Sequence, residues 1–358
     1  MRVFLCPRAL LKIQGEWIPH ASAGQKLMHS VTKKSYARIG LIGNPSDGYG
    51  GRTVSVICKN FFAEVTLTES EQLVIEPDGY RFDSLTALRD QITLNGYYGA
   101  SRLFKATVNV FAGYLARHQP SLSLDKCFTT SYKTNIPRMV GLAGSSALIV
   151  AMFKALMEFY QVSIDQKILP SLALDVELRE LGIGGGLQDR VVQFYEGLVA
   201  MDFAEMREID GYQFGSYEML DSALLPPLYL AYSKSYGEST EVFHNNLRAR
   251  YDAGEKDVLS AMQELAELTG QTLLAMKNGD RTLVSKCMDR NFDIRHSISN
   301  LNPHHVQMIQ TARSCGVSAK YTGSGGAIVG VCSDDEVFDE LKRHLGAIGC
   351  EVCRPIVS

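Results

Sequence analysis

The chain reads as an α+β protein of two domains, and three observations predict this. Strand-like and helix-like segments come in groups rather than in strict alternation, which disfavours a doubly wound sheet. No G-x-G-x-x-G follows a strand in a βαβ unit, which removes the dinucleotide-binding alternative. A length of 358 residues exceeds what one small core organises, so two domains are expected. We place a basic N-terminal extension at 1–34, a first domain at 35–217 and a second at 218–358. The boundary falls in the polar, Gly- and Tyr-containing stretch Glu208–Tyr217.

Each element follows from local pattern. Val3–Leu5 is a strand candidate within the extension. Ile39–Ile42 and Thr53–Ile57 read as strands around a glycine-rich turn at Gly43–Gly51, and Ala63–Leu67 and Leu73–Ile75 as short strands. Ser84 opens a helix to about Leu94, and a second covers roughly Ser101–Arg117. Cys127–Tyr132 alternates like a strand. A helix follows Ser145, and another spans about Ser171–Leu181, ended by Gly182, Gly184, Gly185 and Gly186. Gly197–Phe203 is strand-like. Leu228–Tyr232 begins the second domain as a strand. Helices follow over Glu241–Asp252, Lys256–Lys277, Arg281–Ser297 and Pro303–Cys315, the last stopped by Gly316. Ala319–Tyr321 and Ala327–Val331 are strands flanking a glycine loop. Ser333-Asp334-Asp335-Glu336 is a capping box for the last helix, and Glu351–Val357 closes as a strand.

Composition excludes several function classes. Hydrophobic content of 46% and charged content of 21% are those of a globular protein. A net charge of -3 gives no basic footprint for nucleic acid. No uninterrupted apolar run is long enough to span a bilayer, so no membrane association is expected. The cysteines are scattered, as expected of reduced thiols, and Cys350 and Cys353 form a lone pair that cannot close a tetrahedral zinc site. The extension carries Arg2, Arg8, Lys12, Lys26, Lys33 and Lys34 against Glu16. A cytoplasmic protein is expected, with organellar import through that extension as the alternative.

The chemistry concentrates in Gly141-Leu-Ala-Gly-Ser-Ser-Ala147, which leads into an almost wholly apolar helix. A small-residue loop opening a helix presents backbone N–H groups and the positive end of the helix dipole, a setting that suits phosphate. Two further glycine-rich segments accompany it: Arg38 through Gly40, Gly43 and Asp47, and Lys320-Tyr-Thr-Gly-Ser-Gly-Gly-Ala327. The absence of G-x-x-x-x-G-K-[ST] argues against a P-loop NTPase.

In their order and character these three segments resemble the GHMP kinases. That family carries an Arg…Gly…Asp segment, a Pro-x-x-x-Gly-Leu…Ser-Ser-Ala phosphate loop, here Pro137 through Ala147, and a late Thr-Gly-x-Gly-Gly loop, here Thr322 through Gly326. The resemblance runs from about Tyr36 to the C-terminus. Asn44-Pro45-Ser46-Asp47, Thr134-Asn-Ile-Pro-Arg138, Gly186-Leu-Gln-Asp-Arg-Val191, Asn291-Phe-Asp-Ile-Arg295 and Asn95-Gly-Tyr-Tyr-Gly99 narrow it towards the plant-type glucuronokinases. Most sugar kinases of the wider family have Glu-His where this chain has Asn44-Pro45, which speaks against a galactokinase.

The resemblance implies a ribosomal-protein-S5-like N-terminal domain, a ferredoxin-like C-terminal domain and an ATP site at their junction. It implies ATP- and magnesium-dependent phosphorylation of the anomeric hydroxyl of D-glucuronic acid. The alternatives are another sugar (galacturonate, fucose or a heptose) or a non-catalytic sugar- and ATP-binding regulator. The partners expected are a small sugar acid and ATP, and the protein is expected to be a monomer or weak homodimer. By resemblance Asp189 accepts the sugar hydroxyl proton, on a loop after four glycines, and Arg38 offsets charge beside it. ATP is held by Pro137, Gly141, Leu142, Ala143, Gly144, Ser145, Ser146 and Ala147, with Gly323 and Gly325 approaching from the second domain. The cation falls to Ser146 and Glu177, with Glu180 the rival carboxylate one turn on. Asp47, Arg190 and Thr322 are candidate sugar contacts. Arg52, Arg138 and Arg295 are candidate partners for the substrate carboxylate, because a guanidinium binds carboxylate through two parallel hydrogen bonds. Tyr97 and Tyr98 could wall the sugar site.

Overall fold

The computed structural model describes residues 12–13, 16–17, 29–234 and 247–357. The Val3–Leu5 strand and residues 241–246 of the expected helix lie outside them. A two-residue strand β1 (Lys12–Ile13) pairs antiparallel with β2 (Glu16–Trp17).

The first domain is built on a long antiparallel hairpin, β3 (Ser30–Ile42) and β4 (Arg52–Ser70). The two β4 segments expected separately are one strand of 19 residues, and its apolar side chains face inward along both. Its first half pairs β8 (Leu198–Ile209) and its second half pairs β7 (Cys127–Thr134). With β5 (Leu73–Ile75), β6 (Tyr80–Phe82) and β9 (Tyr212–Leu220), the sheet runs β6-β5-β7-β4-β8-β9, with β3 along β4. Because β9 pairs with β8 as far as Leu220, the Glu208–Tyr217 stretch is a hairpin of this sheet and not an interdomain linker. Likewise β3 starts at Ser30, so the last residues assigned to the N-terminal extension belong to the sheet.

Helices α1 (Leu85–Asn95), α2 (Arg102–His118), α3 (Gly144–Phe159), α4 (Leu169–Asp175) and α5 (Leu187–Tyr195) belong to this domain. Ser84 caps α1 by accepting from the Ala87 N–H. Ile149 through Phe153 of α3 are all fully buried, which explains the unbroken apolar sequence after the serine pair: this stretch of the helix has no solvent face.

The second domain is a four-stranded antiparallel sheet of β10 (Leu228–Ser233), β11 (Lys320–Tyr321), β12 (Ala327–Val331) and β13 (Cys350–Cys353), in the order β11-β12-β10-β13. Helices α6 (247–252), α7 (Lys256–Lys277), α8 (Arg281–Ile298) and α9 (Pro303–Ser314) lie between β10 and β11, and α10 (Asp335–Ala347) between β12 and β13. First and third strands are adjacent at the centre, the arrangement of the ferredoxin-like split βαβ unit. Asp334 caps α10 through the N–H groups of Glu336 and Val337. One buried cluster joins Ile39 and Val54 of the first domain to Leu230, Met262, Leu265 and Val329 of the second, so the domains share a core. Among the described residues no helix is long and apolar enough to cross a membrane.

Candidate active site

The three glycine segments meet at this shared face. Arg38 leaves β3 almost fully buried and touches all of them. Its Nε donates to Asp189 Oδ1 at 2.8 Å, and its Nη2 lies 2.6 Å from the same oxygen. Its Nη1 donates to the carbonyl of Thr322 at 2.6 Å and to that of Gly141 at 3.1 Å. A buried guanidinium needs this many acceptors, and here they come from a carboxylate and two different loops.

Asp189 stands in the first turn of α5, not on a loop. The four glycines before it suggest an irregular segment, but they only lead to the helix start, where a carboxylate is favoured by the helix dipole. Arg190 beside it is buried. Its Nη1 donates to the Gly186 carbonyl at 2.6 Å and lies 4.0 Å from Asp189 Oδ2, and its Nη2 is in tight contact with Glu177 Oε2. Burial, and then the charge of Arg38, disfavour the cationic form of Arg190; the Asp47 carboxylate opposes this.

Glu177 lies in a single π-helical turn, Val176–Glu180, that continues α4. Its Oε1 accepts from Ser145 Oγ at 2.8 Å. Ser145 is exposed, whereas Ser146 is buried and its Oγ turns back to donate to the Ala143 carbonyl at 3.1 Å. Ser145, rather than the Ser146 expected from resemblance, therefore shares the carboxylate. Glu180 points elsewhere and accepts from the Tyr97 hydroxyl and from Asn109 Nδ2. Tyr97 belongs to that network and Tyr98 is an exposed ring against Tyr80, so a sugar wall is not what they form here.

The phosphate loop is packed backbone to backbone. Ala143 (φ 61°) and Gly141 (φ 71°) are left-handed, and a Cβ on Gly141 would come within 2.9 Å of the Ser324 nitrogen. Leu142 and Ala147 are core residues that anchor the loop, Pro137 enters it, and Gly144 starts α3. Gln193 Nε2, fully buried on α5, donates to the carbonyls of Ala143 and Tyr36; nothing in its local sequence marks it. Gly323 and Gly325 pack from the second domain against the phosphate loop: a Cβ on Gly323 would lie 2.4 Å from the Gly141 carbonyl.

Two of the expected substrate contacts are loop supports instead. Thr322 is fully buried and its hydroxyl donates to Gly141 O at 3.1 Å. Arg295 is buried and its Nη1 and Nη2 donate to the carbonyls of Gly323 and Ser324 at 2.6 and 2.9 Å, fixing the curvature of the third loop. Arg52 is exposed and pairs with Asp202 at 2.7 Å across β4 and β8. Arg138 is exposed next to Pro137.

Asp47 sits half-buried in a short 3-10 turn, Ser46–Tyr49, and a Cβ on Gly186 would lie 2.9 Å from its Oδ2. Burial, and then repulsion from Asp189, push its carboxyl up to about 7, against the attraction of Arg38 and Arg190. The turn is held from the second domain. Asn291 accepts from Gly43 N–H at 2.7 Å and donates to Asn44 O at 3.1 Å, and Lys320 Nζ donates to Asn44 Oδ1 at 2.7 Å. Asp47, Glu177 and Asp189, the buried guanidinium groups of Arg38 and Arg190 and a helix-opening phosphate loop thus converge, a set suited to phosphoryl transfer to a hydroxyl.

The family models for the GHMP kinases N terminal domain and for the GHMP kinases C terminal match residues 102–197 and 272–349. The chain is 42% identical to "Probable glucuronokinase 2" of Arabidopsis thaliana, across 88% of this chain and 89% of that one. The chain belongs to the GHMP kinase family. This GHMP kinase is also 40% identical to "Glucuronokinase 1" of Arabidopsis thaliana, over 88% of this chain and 90% of that one. Its fold matches the solved galactokinase of Lactococcus lactis in complex with galactose, with a TM-score of 0.74 at 17% identity, covering 92% of this chain and 94% of the galactokinase.

Proposed function

We propose that this GHMP kinase transfers the γ-phosphoryl group of ATP to the anomeric hydroxyl of D-glucuronic acid, giving D-glucuronate 1-phosphate and ADP. The observation that carries the reading is the Arg38–Asp189 pair at the edge of the phosphate loop, in a chain 42% identical to a probable glucuronokinase.

Asp189 accepts the proton as the sugar oxygen attacks phosphorus, and it is on the first turn of α5 with its orientation fixed by Arg38. Arg38 offsets the negative charge that develops beside the phosphate loop. The N–H groups of the first turn of α3, which have no intrahelical acceptors, and Ser145 bind phosphate oxygens. Asp47 and Arg190, beside Asp189, are assigned to sugar hydroxyls and carboxylate in this reading.

Magnesium fits beside the phosphate loop. The exposed Ser145 hydroxyl and the buried Glu177 carboxylate, 2.8 Å apart beside the phosphate loop, are hard oxygen donors of the kind that cation takes. There it would neutralise phosphate charge. Arg190 balances Glu177 on its other oxygen.

The experiment is product analysis: incubation with ATP, magnesium and D-glucuronic acid, followed by phosphorus NMR. A phosphate signal coupled to the anomeric proton is expected. A phosphate on any other hydroxyl overturns the regiochemistry.

A further inference from the structure

Lys320 is a cation placed where a hydrophobic residue would ordinarily be expected. It lies on β11, two residues before the third glycine segment proper begins at Thr322, and it is 1% exposed. Among the described residues no carboxylate pairs with it. Its Nζ instead donates to three neutral acceptors: Gly40 O on β3 at 2.8 Å, Asn44 Oδ1 at 2.7 Å and Tyr321 O at 2.6 Å. These use all three hydrogens of an ammonium group. Burial lowers its pKa well below the usual lysine value, with Arg295 and Arg38 adding to the effect. A charge buried without a counter-ion is costly, and an apolar side chain would fill the same volume without that cost.

The acceptors show what the cation does. Two of the three lie in the first domain, and Asn44 is three residues before Asp47. The same turn is gripped by Asn291 from α8, through Gly43 N–H and Asn44 O. Gly43 (φ 89°) is pressed so closely against β4 and α7 that a Cβ there would meet Arg52 O at 2.1 Å and Thr269 Oγ1 at 2.3 Å. Asn44 is itself 4% exposed, so its side chain is spent on Lys320 and does not face a substrate.

We propose that Lys320 is a positioning residue for sugar binding: from the second domain it fixes Asn44, and through Asn44 the turn that presents Asp47. This rests on the reading of the site as a glucuronate kinase, but only for the choice of substrate in the assay.

The test uses the full chain and three variants: Lys320→Met, Asn44→Ala and the double substitution. KM for D-glucuronate and for ATP is measured, together with amide hydrogen exchange in the absence of substrates. Each single variant is expected to raise the glucuronate KM about tenfold and to change the ATP KM by less than about twofold. The double variant should be no worse than about the larger single effect, because both remove one interaction. Exchange at residues 43–48 should rise while that at 141–147 does not. An unchanged glucuronate KM, an equal rise in both KM values, or effects that multiply would overturn the proposal. If Lys320→Met does not fold, Asn44→Ala, which keeps the lysine, is judged by the same split. If the unmodified chain does not turn over glucuronate, the substrate reading fails instead; exchange then decides, and no change at 43–48 in either single variant overturns the clamp.

Discussion

Arg38 and Asp189 are 151 positions apart in the chain and in direct contact, with Arg38 Nε at 2.8 Å and Nη2 at 2.6 Å from one carboxylate oxygen. The remaining Arg38 nitrogen binds carbonyls of both the phosphate loop and the third glycine loop. One side chain therefore ties the proposed proton acceptor to the phosphate loop and the third glycine loop.

Replacing Asp189 by Asn keeps the shape and removes the proposed proton acceptor. Turnover should fall by at least about a thousandfold, while ATP affinity stays within a few-fold. Steady-state rates with nucleotide binding by calorimetry measure both. Full activity in the variant would reject Asp189 as the acceptor.

Arg38→Lys keeps the charge but not the fork. A single ammonium cannot serve Asp189, Gly141 O and Thr322 O with the same geometry. We expect a loss of about a hundredfold in kcat, with little recovery relative to Arg38→Met. A lysine variant near the original rate would show that charge alone is what matters.

Ser145→Ala and Glu177→Gln should each raise the magnesium concentration needed for half-maximal rate, by about tenfold. Ser146→Ala should act differently: its hydroxyl is turned onto Ala143 O, so the variant should lose thermal stability with an unaltered magnesium requirement. Magnesium titrations of the three variants separate these roles. A shift confined to Ser146→Ala would return the cation to that serine.

Asp47 gives a pH dependence of stability. Its carboxyl is raised from 3.8 to about 7 in the folded chain, so the folded state holds the proton more tightly than the unfolded state. The contribution is fully present below the unfolded value and is lost as pH rises through about 7. Asp47→Asn, which cannot ionise, should therefore gain stability relative to the unmodified chain between about pH 4 and about pH 8, by at most roughly 1.4 kcal/mol per pH unit crossed. Denaturant titrations across that range check it; a difference that shrinks as pH rises has the wrong sign.

Gly323→Ala would push a Cβ to within 2.4 Å of Gly141 O and 2.7 Å of Arg38 Nη1. The two loops would separate, and a loss of about 1–3 kcal/mol in stability is expected together with a drop in activity. Unchanged melting and rate would show that the loops are not packed as described.

The loops of this site are legible in the sequence because glycine and small residues at a strand-to-helix junction have few other uses. Pro137 through Ala147, Arg38, Asp47 and Asp189 stand out on that ground and by resemblance. The helix carrying Asp189 does not, since the glycine run before it reads as loop and α5 is only 9 residues long. The β8–β9 hairpin resembles a linker because the distal half of β8, Ala204–Glu208, faces solvent, although Tyr212 and Phe214 of β9 are buried. Lys320 and Gln193 escape notice for a different reason. A lysine or glutamine reads as surface, and their partners Gly40, Asn44, Tyr36 and Ala143 lie far away in sequence and only the fold brings them together. Arg295 and Thr322 suit a sugar by residue type, yet the carbonyls of the third loop and Gly141 claim them.

A substrate panel tests most directly whether this kinase acts on a sugar acid. ADP release from ATP and magnesium should be measured across D-glucuronic acid, D-galacturonic acid, glucose, galactose, fucose and a heptose. D-Glucuronic acid should give the highest kcat/KM, with glucose, which differs by the missing carboxylate, far lower. Equal or better turnover of a neutral sugar, or no release with any of them, would contradict it.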